Sequence, residues 1–289
     1  MCSCLLILQI RKTNCKNMKN QKNMKSPQNM KSPKIRKNPW LNISLSDTVA
    51  DCDKPVINSL TTAVKSKIVL DTLPEPYHGD PEAKVYLLNG NPGHSEKDLT
   101  FVGCGNAIQA ASVLPNGNNA FSNIYEKEIC EELWHINKEF IWLRDPETVV
   151  NAIGESHPGY KWWKDRVREL EKACGCEISE KVFCIECFPY HTERKMAFKL
   201  PSDEYVDGFI YRAMEEEKVI VLMRSRREWF ARIKGLENYS NLILLNSCRN
   251  VSLSPGNMTK SDWEKLVKTL KKKNDKNVYE RPSFRLSKR

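Results

Sequence analysis

The residues whose types and spacing suit chemistry lie in polar loops that each follow a short apolar run. The first loop is Asn89-Gly90-Asn91-Pro92-Gly93, with His94 beside it, after the run Lys84 to Leu88. The second is Ser247-Cys-Arg-Asn-Val-Ser-Leu-Ser-Pro-Gly256, after Asn241 to Asn246. Two glycines and a proline force a sharp turn in the first. A strand emptying into such a turn, in an α/β protein, sets polar groups at the carboxyl edge of the sheet, where open α/β sheets bind ligands. Taken alone, Asn-Pro-Gly is an ordinary turn. The same arrangement late in the chain makes the pair a candidate site. A third polar stretch, Pro189-Tyr190-His191-Thr192, ends another apolar run that carries Glu186. A carboxylate in that run is expected either to be paired or to stand near the site.

The 11 cysteines raise a second possibility. Cys174-Gly-Cys176 and Cys184-Ile-Glu-Cys187 have the look of a zinc or iron–sulfur set. Cys184 and Cys187, however, fall in an apparent strand, Val182 to Phe188, where residues three apart face opposite sides. The expectation is buried, reduced cysteines, with no metal and no cofactor. That usage fits a reducing, cytoplasmic compartment.

Beyond these loops, 289 residues suffice for one substantial core. The formal charge is +10, but it is unevenly spread. Residues 1–39 carry 10 Lys/Arg and no acid, and residues 265–289 carry 10 Lys/Arg against 2 acids. Residues 40–264 hold 26 basic and 34 acidic residues, so the body between the two ends is acidic. That weighs against tight DNA binding spread over the whole body, while leaving room for a local basic patch.

Residues 1–39 are low in complexity, with Asn-Met-Lys repeated, and are expected to be disordered or an upstream extension from a misassigned start. Their apolar opening is too short to span a bilayer and lacks the marks of a signal peptide. Residues 40–79 read as an irregular lead-in, 80–275 as the domain, and 276–289 as a basic tail. Strands are predicted at 84–88, 181–188, 218–223 and 241–246. Helices are predicted at 123–135, 162–173, 202–217 and 226–234, the third of these capped by Ser202, and the last helix opens on the capping box Ser261-Asp-Trp-Glu264. Strands alternating with helices describe an α/β three-layer sandwich with a mainly parallel, four-stranded sheet. Neither Gly-x-Gly-x-x-Gly nor a Gly-Lys-Ser/Thr phosphate loop is present, which argues against the commonest nucleotide-binding variants.

Asn-Gly-Asn-Pro-Gly in the first loop and Asn-Val-Ser-Leu-Ser-Pro in the second resemble the two motifs of the uracil-DNA glycosylase superfamily. The first is most similar to the Gly-Ile-Asn-Pro-Gly of the mismatch-specific and thymine-DNA branch, and the second to its Asn-Pro-Ser-Gly. The resemblance covers roughly residues 80–275 and implies a strand order of 2-1-3-4. It departs at Asn89, where the family has Gly, and at Val251, where it has Pro. No aspartate occupies the water-activating position.

The implied activity is hydrolysis of the N-glycosidic bond of a flipped uracil or other deaminated base in DNA, by a monomer with no membrane attachment. By the resemblance Asn91 holds the attacking water and Asn250 donates to a carbonyl of the base. Pro92 and Gly93 line the base pocket, and Phe101, Phe188 or Tyr190 stacks on the base. Ser252, Arg249 and His191 touch the DNA backbone. Positioning and electrostatics then lower the barrier, because an amide is no strong base. The alternative is a catalytically silent or divergent member of that superfamily that binds a nucleotide, a nucleic acid or a protein partner.

Overall fold

A computed structural model of the chain describes residues 38–40, 43, 47–72, 74–95, 158–192, 194–196 and 198–271. The chain divides into two units, 1–33 and 34–289, and every described residue lies in the second. The predicted helix at 123–135, Phe101 and the basic tail at 276–289 fall outside the described residues.

The sheet grows from the middle strand outward. Strand β3 (Val85–Leu88) has all four residues buried, as a strand covered on both faces must. It pairs in parallel with β4 (Val182–Ile185) on one side and with β6 (Val219–Leu222) on the other. Strand β7 (Leu242–Leu244) extends the sheet beyond β6, again in parallel. The sheet has five strands rather than the expected four, because β2 (Tyr77–Gly79) joins β4 in antiparallel fashion and gives the order β2-β4-β3-β6-β7. Gly79 makes that edge pairing possible. Its φ is +95°, and a Cβ there would lie 2.2 Å from the Val182 carbonyl oxygen, so no other residue fits. A separate two-stranded ribbon joins β1 (Ile68–Val69) to β5 (His191–Thr192).

The region before residue 80, read above as an irregular lead-in, therefore supplies β1 and β2 as well as two short helices, α1 (Lys54–Ser59) and α2 (Thr62–Lys65). It is held by Asp53, which is 0% exposed. Its Oδ2 accepts from the Tyr190 hydroxyl at 2.8 Å and the Ser202 hydroxyl at 2.7 Å, and its Oδ1 accepts from the Ser202 backbone N–H at 2.9 Å. A buried carboxylate is tolerable only with its lone pairs satisfied in this way.

Helix α3 (Pro158–Cys174) buries Trp163, Val167 and Leu170, the apolar set expected from helical spacing. It starts four residues before the expected position, since proline is well accommodated in a first helical turn. Helix α4 (Asp203–Glu215) follows Ser202, but Ser202 makes no side-chain cap, its hydroxyl being committed to Asp53. Helix α5 (Arg226–Arg232) and helix α6 (Lys260–Lys271) follow β6 and β7 respectively. The cap of α6 sits two residues earlier than predicted, at Thr259. Thr259 Oγ1 accepts from the Asp262 N–H at 3.1 Å and donates to the Asp262 carboxylate at 2.7 Å. Tyr77, Phe183, Tyr205 and Phe209 pack edge-on or tilted between sheet and α4, with ring centroids 5.1–6.3 Å apart. No helix among the described residues is long and apolar enough to cross a membrane.

Candidate active site at the carboxyl edge of the sheet

The loop after β3 is gripped from both flanking strands. The Asn89 N–H donates to Ile185 O at 2.8 Å, and Gly90 O accepts from the Phe188 N–H at 2.9 Å. On the other side the N–H groups of Met223 and Arg224 donate to Leu88 O at 2.9 and 3.2 Å. Trp229, fully buried on α5, donates its indole N–H to Asn89 O at 2.7 Å. Gly90 is wedged so closely that a Cβ would come within 3.0 Å of Ser225 Oγ and 3.7 Å of Arg224 Cβ. Ser225, in the turn between β6 and α5, has a φ of +55°, a left-handed conformation that costs a non-glycine residue about 1 kcal/mol or more.

Asn91 stands just past this grip, half-buried. Its Nδ2 donates to Thr192 Oγ1 at 2.7 Å and to Pro92 O at 3.0 Å, with Thr192 O at 3.5 Å. Carbonyl oxygens only accept, so the surroundings fix which end of the amide is which. The Oδ1 atom, with no hydrogen-bond donor among the described residues, is left to accept.

The β4 side of the edge is acidic and histidine-bearing. Glu75 Oε2 lies 3.2 Å from His78 Nε2, and Glu75 Oε1 lies 3.7 Å from His191 Nε2. His191 Nδ1 lies 2.5 Å from Gly93 O. Glu186 follows directly after β4, its N–H donating to Pro76 O at 3.0 Å. Burial, reinforced by the Glu75 charge, pushes the Glu186 carboxyl up to about 8, against the opposing pull of Asn89 and Arg224. Its Oε2 is sealed from solvent and meets no hydrogen-bond partner. Arg232 braces the same turn. Its guanidinium donates to Cys187 O at 2.7 Å and to Asp207 Oδ1 at 2.5 Å, reaches Asp203 Oδ1 at 3.1 Å, and lies over the Trp229 ring.

The loop after β7 is organised by Asn257, whose Nδ2 donates to Asn250 O at 2.6 Å and to Ser252 O at 3.0 Å. Val251 and Leu253 are buried in the core and pin it from below. Asn250 is exposed, and its Oδ1 accepts from Arg166 Nη1 at 2.9 Å and from the Ser252 hydroxyl at 2.8 Å. A guanidinium only donates, so this amide too is fixed, with its Nδ2 facing outward and no acceptor for it among the described residues. Between the two loops lies the β6 turn with exposed Arg224, Arg226 and Arg227, and Arg249 is exposed next to Asn250. Two strand spacings, roughly 10 Å, separate the ends of β3 and β7. The edge thus runs from carboxylates and histidines at β4, through Asn91, to guanidiniums and Asn250 at β7.

Several of the roles expected from the sequence change. Phe188 and Tyr190, expected to stack on a base, are core residues with 2% and 0% exposure. They pack edge-on against each other at 5.7 Å, and the Tyr190 hydroxyl is committed to Asp53. His191, expected at the DNA backbone, is buried and ties Gly93 instead. Pro92 is buried and Gly93 exposed. The Ser252 hydroxyl donates to Asn250, which makes it an orienter of that amide. Thr192 stands in the polar stretch 189–192 but has no expected role there, and three more contributors give no sign of themselves in the sequence: Glu75, Arg166 and Asn257. None stands in a recognisable motif, and each is brought in only by the pairing of distant segments.

Cys184 is buried and Cys187 half-buried, and burial pushes the Cys187 thiol up to about 12. Cys174 and Cys176 are only half-buried, short of the burial expected for that set, and Cys52 and Cys248 are exposed. Among the described residues no three His, Cys, Asp or Glu side chains cluster as metal ligands. No protein-family model matches the chain, and no curated protein or solved structure was found to be similar to it.

Proposed function

We propose that the chain is a uracil-DNA glycosylase-like hydrolase, cleaving the N-glycosidic bond of a flipped uracil or other deaminated base in DNA. The observation that carries this reading is the opposite orientation of two fixed amides on one sheet edge. Asn91 spends its nitrogen on Thr192 and keeps an oxygen to accept from a water. Asn250 spends its oxygen on Arg166 and Ser252 and keeps a nitrogen to donate to a carbonyl of the base. Bond scission builds positive character on the sugar and negative charge on the departing base, so a held water and a preorganised donor act where charge develops. Arg224, Arg227 and Arg249, exposed along the same edge, suit the phosphates of a strand threaded over it. The parallel-strand order 2-1-3-4 belongs to the same proposal and is supported by the pairings of β4 with β3, β3 with β6 and β6 with β7.

The test is incubation of the protein and its Asn91→Ala variant with labelled oligonucleotides carrying uracil, hypoxanthine or a G·T mismatch, scoring abasic sites by alkaline cleavage. Cleavage by the wild type that vanishes in the variant is expected. Activity surviving in the variant removes Asn91 from the mechanism. One observation favours a second reading, a binding module without glycosylase activity: Glu75 sets a carboxylate at the β4 end of the edge, unfavourable to phosphate. In that case no oligonucleotide is cleaved.

A further inference from the structure

Neither Asn91 nor Asn250 can give up a proton, yet the base that leaves carries a negative charge. We infer that Glu186 is the acid of this site, a carboxyl group stationed at the sheet edge to protonate the departing base. The inference rests on the hydrolase reading above and goes beyond it, since that reading uses amides alone.

The position comes from strand register. Leu88 pairs with Ile185, so Asn89 and Glu186 emerge level with each other from neighbouring strands, at the same edge and close before Asn91. Glu186 faces the Asn89 amide from the β3 loop, the Arg224 guanidinium from the β6 turn, and Glu75 from the segment before β2. Cys184 on β4 lies near enough to feel its charge, as does Cys187 beside it. His78 and His191 both face Glu75 rather than Glu186. Glu75 is therefore engaged by two imidazoles, while Glu186 has one oxygen sealed and unbonded. A sealed carboxylate oxygen without a donor is costly when ionised and far less so when the carboxyl keeps its proton. Its displaced titration, with a midpoint near 8, agrees with that state at neutral pH.

The step balances without any further reactant. The bond between the sugar C1′ and the base nitrogen breaks, and its electron pair goes to the base. The Glu186 proton passes to the base, and the water held by Asn91 forms the new C1′–O bond. That water then releases a proton, which returns to the Glu186 carboxylate. A group of this kind contributes about 10²–10⁴-fold when its proton affinity is matched to the working pH.

The experiment compares wild type, Asn91→Ala, Glu186→Gln and Glu186→Asp on the uracil oligonucleotide from about pH 5 to 9.5, a range that brackets an acid tuned near neutrality. It is paired with a carboxyl ¹³C titration of the folded wild type, in which the Glu186 resonance is assigned by its loss in Glu186→Gln. Expected are an alkaline fall in wild-type kcat with a midpoint near 8 and a loss of about 100-fold or more in Glu186→Gln at neutral pH, with no remaining alkaline limb. Glu186→Asp should recover part of the rate. An ordinary glutamate midpoint in the titration overturns the inference whether or not any substrate is cleaved. An enzyme that needs Asn91 but is indifferent to Glu186→Gln overturns it too, while leaving the hydrolase reading intact. A wild type that cleaves nothing ends both.

Discussion

Replacing Glu186 with glutamine should give a protein that gains on the wild type in stability as the pH rises, the reverse of what losing a carboxylate usually does. An unfolded chain releases the Glu186 proton above its ordinary value of 4.5, whereas the folded chain holds it until about 8. Within that window the folded state binds more protons than the unfolded one, so stability falls as pH increases. Each pH unit across the window is worth at most about 1.4 kcal/mol. At neutral pH the penalty is at most roughly 3 kcal/mol. Glutamine has the shape of the protonated acid and never ionises, so it escapes the penalty. Urea unfolding of both proteins from about pH 5 to 8.5 should give equal stabilities at the acid end and a variant more stable by about 2–4 kcal/mol at the alkaline end. Asp203, which burial raises to about 6 despite Arg232, titrates in both proteins and cancels in the difference. A difference that stays flat across this range would refute the reasoning, because Glu186 would then ionise alike in both states. The same substitution is expected to lower activity, so stability and rate should move in opposite directions.

Three further outcomes are expected. Thr192→Val removes the hydroxyl that receives the Asn91 amide, and should cost only about 1 kcal/mol in urea unfolding while lowering the rate of the proposed base excision roughly tenfold or more. Alanine at Arg224, Arg227 and Arg249 together should weaken binding of single-stranded DNA without sequence preference, and should flatten the dependence of log K on log salt by about 0.7 for each phosphate no longer neutralised. Asp53→Ala leaves the hydroxyls of Tyr190 and Ser202 and the Ser202 N–H without their acceptor, and should cost about 3–5 kcal/mol of stability in the same urea assay.

The sequence reveals the central strands well because they are short, continuous and apolar, and the parallel strands β3, β4, β6 and β7 fall inside the predicted runs. It hides β2, since Tyr77-His78-Gly79 is too short and too polar to stand out, and the glycine that ends it suggests a turn. The polar loops are legible through their punctuation, and so Asn91 and Asn250 can be picked out. Their orientation is not legible, because it depends on Thr192, 101 residues after Asn91, and on Arg166, 84 residues before Asn250. Phe188 and Tyr190 mislead for a related reason. An aromatic residue next to a polar loop has the same appearance whether its ring faces a ligand or the core. For Tyr190 the decision falls to Asp53, which lies in a segment that carries no motif.

That burial of Asp53 also bears on the order in which the chain gains its structure. Its partners lie 137 and 149 residues further along, so the carboxylate stays hydrated until both have been synthesised and brought to it. Strand β3 waits in the same way, since its neighbours begin at Val182 and Val219. At translation speeds of about 5–20 residues per second the segment carrying Asp53 leaves the ribosome on the order of ten seconds before Tyr190 and Ser202 do. Pairings so distant in the chain carry the full cost of closing a long loop and form late. The amino-terminal elements are therefore expected to dock last, so that damage at Asp53 speeds unfolding far more than it slows folding.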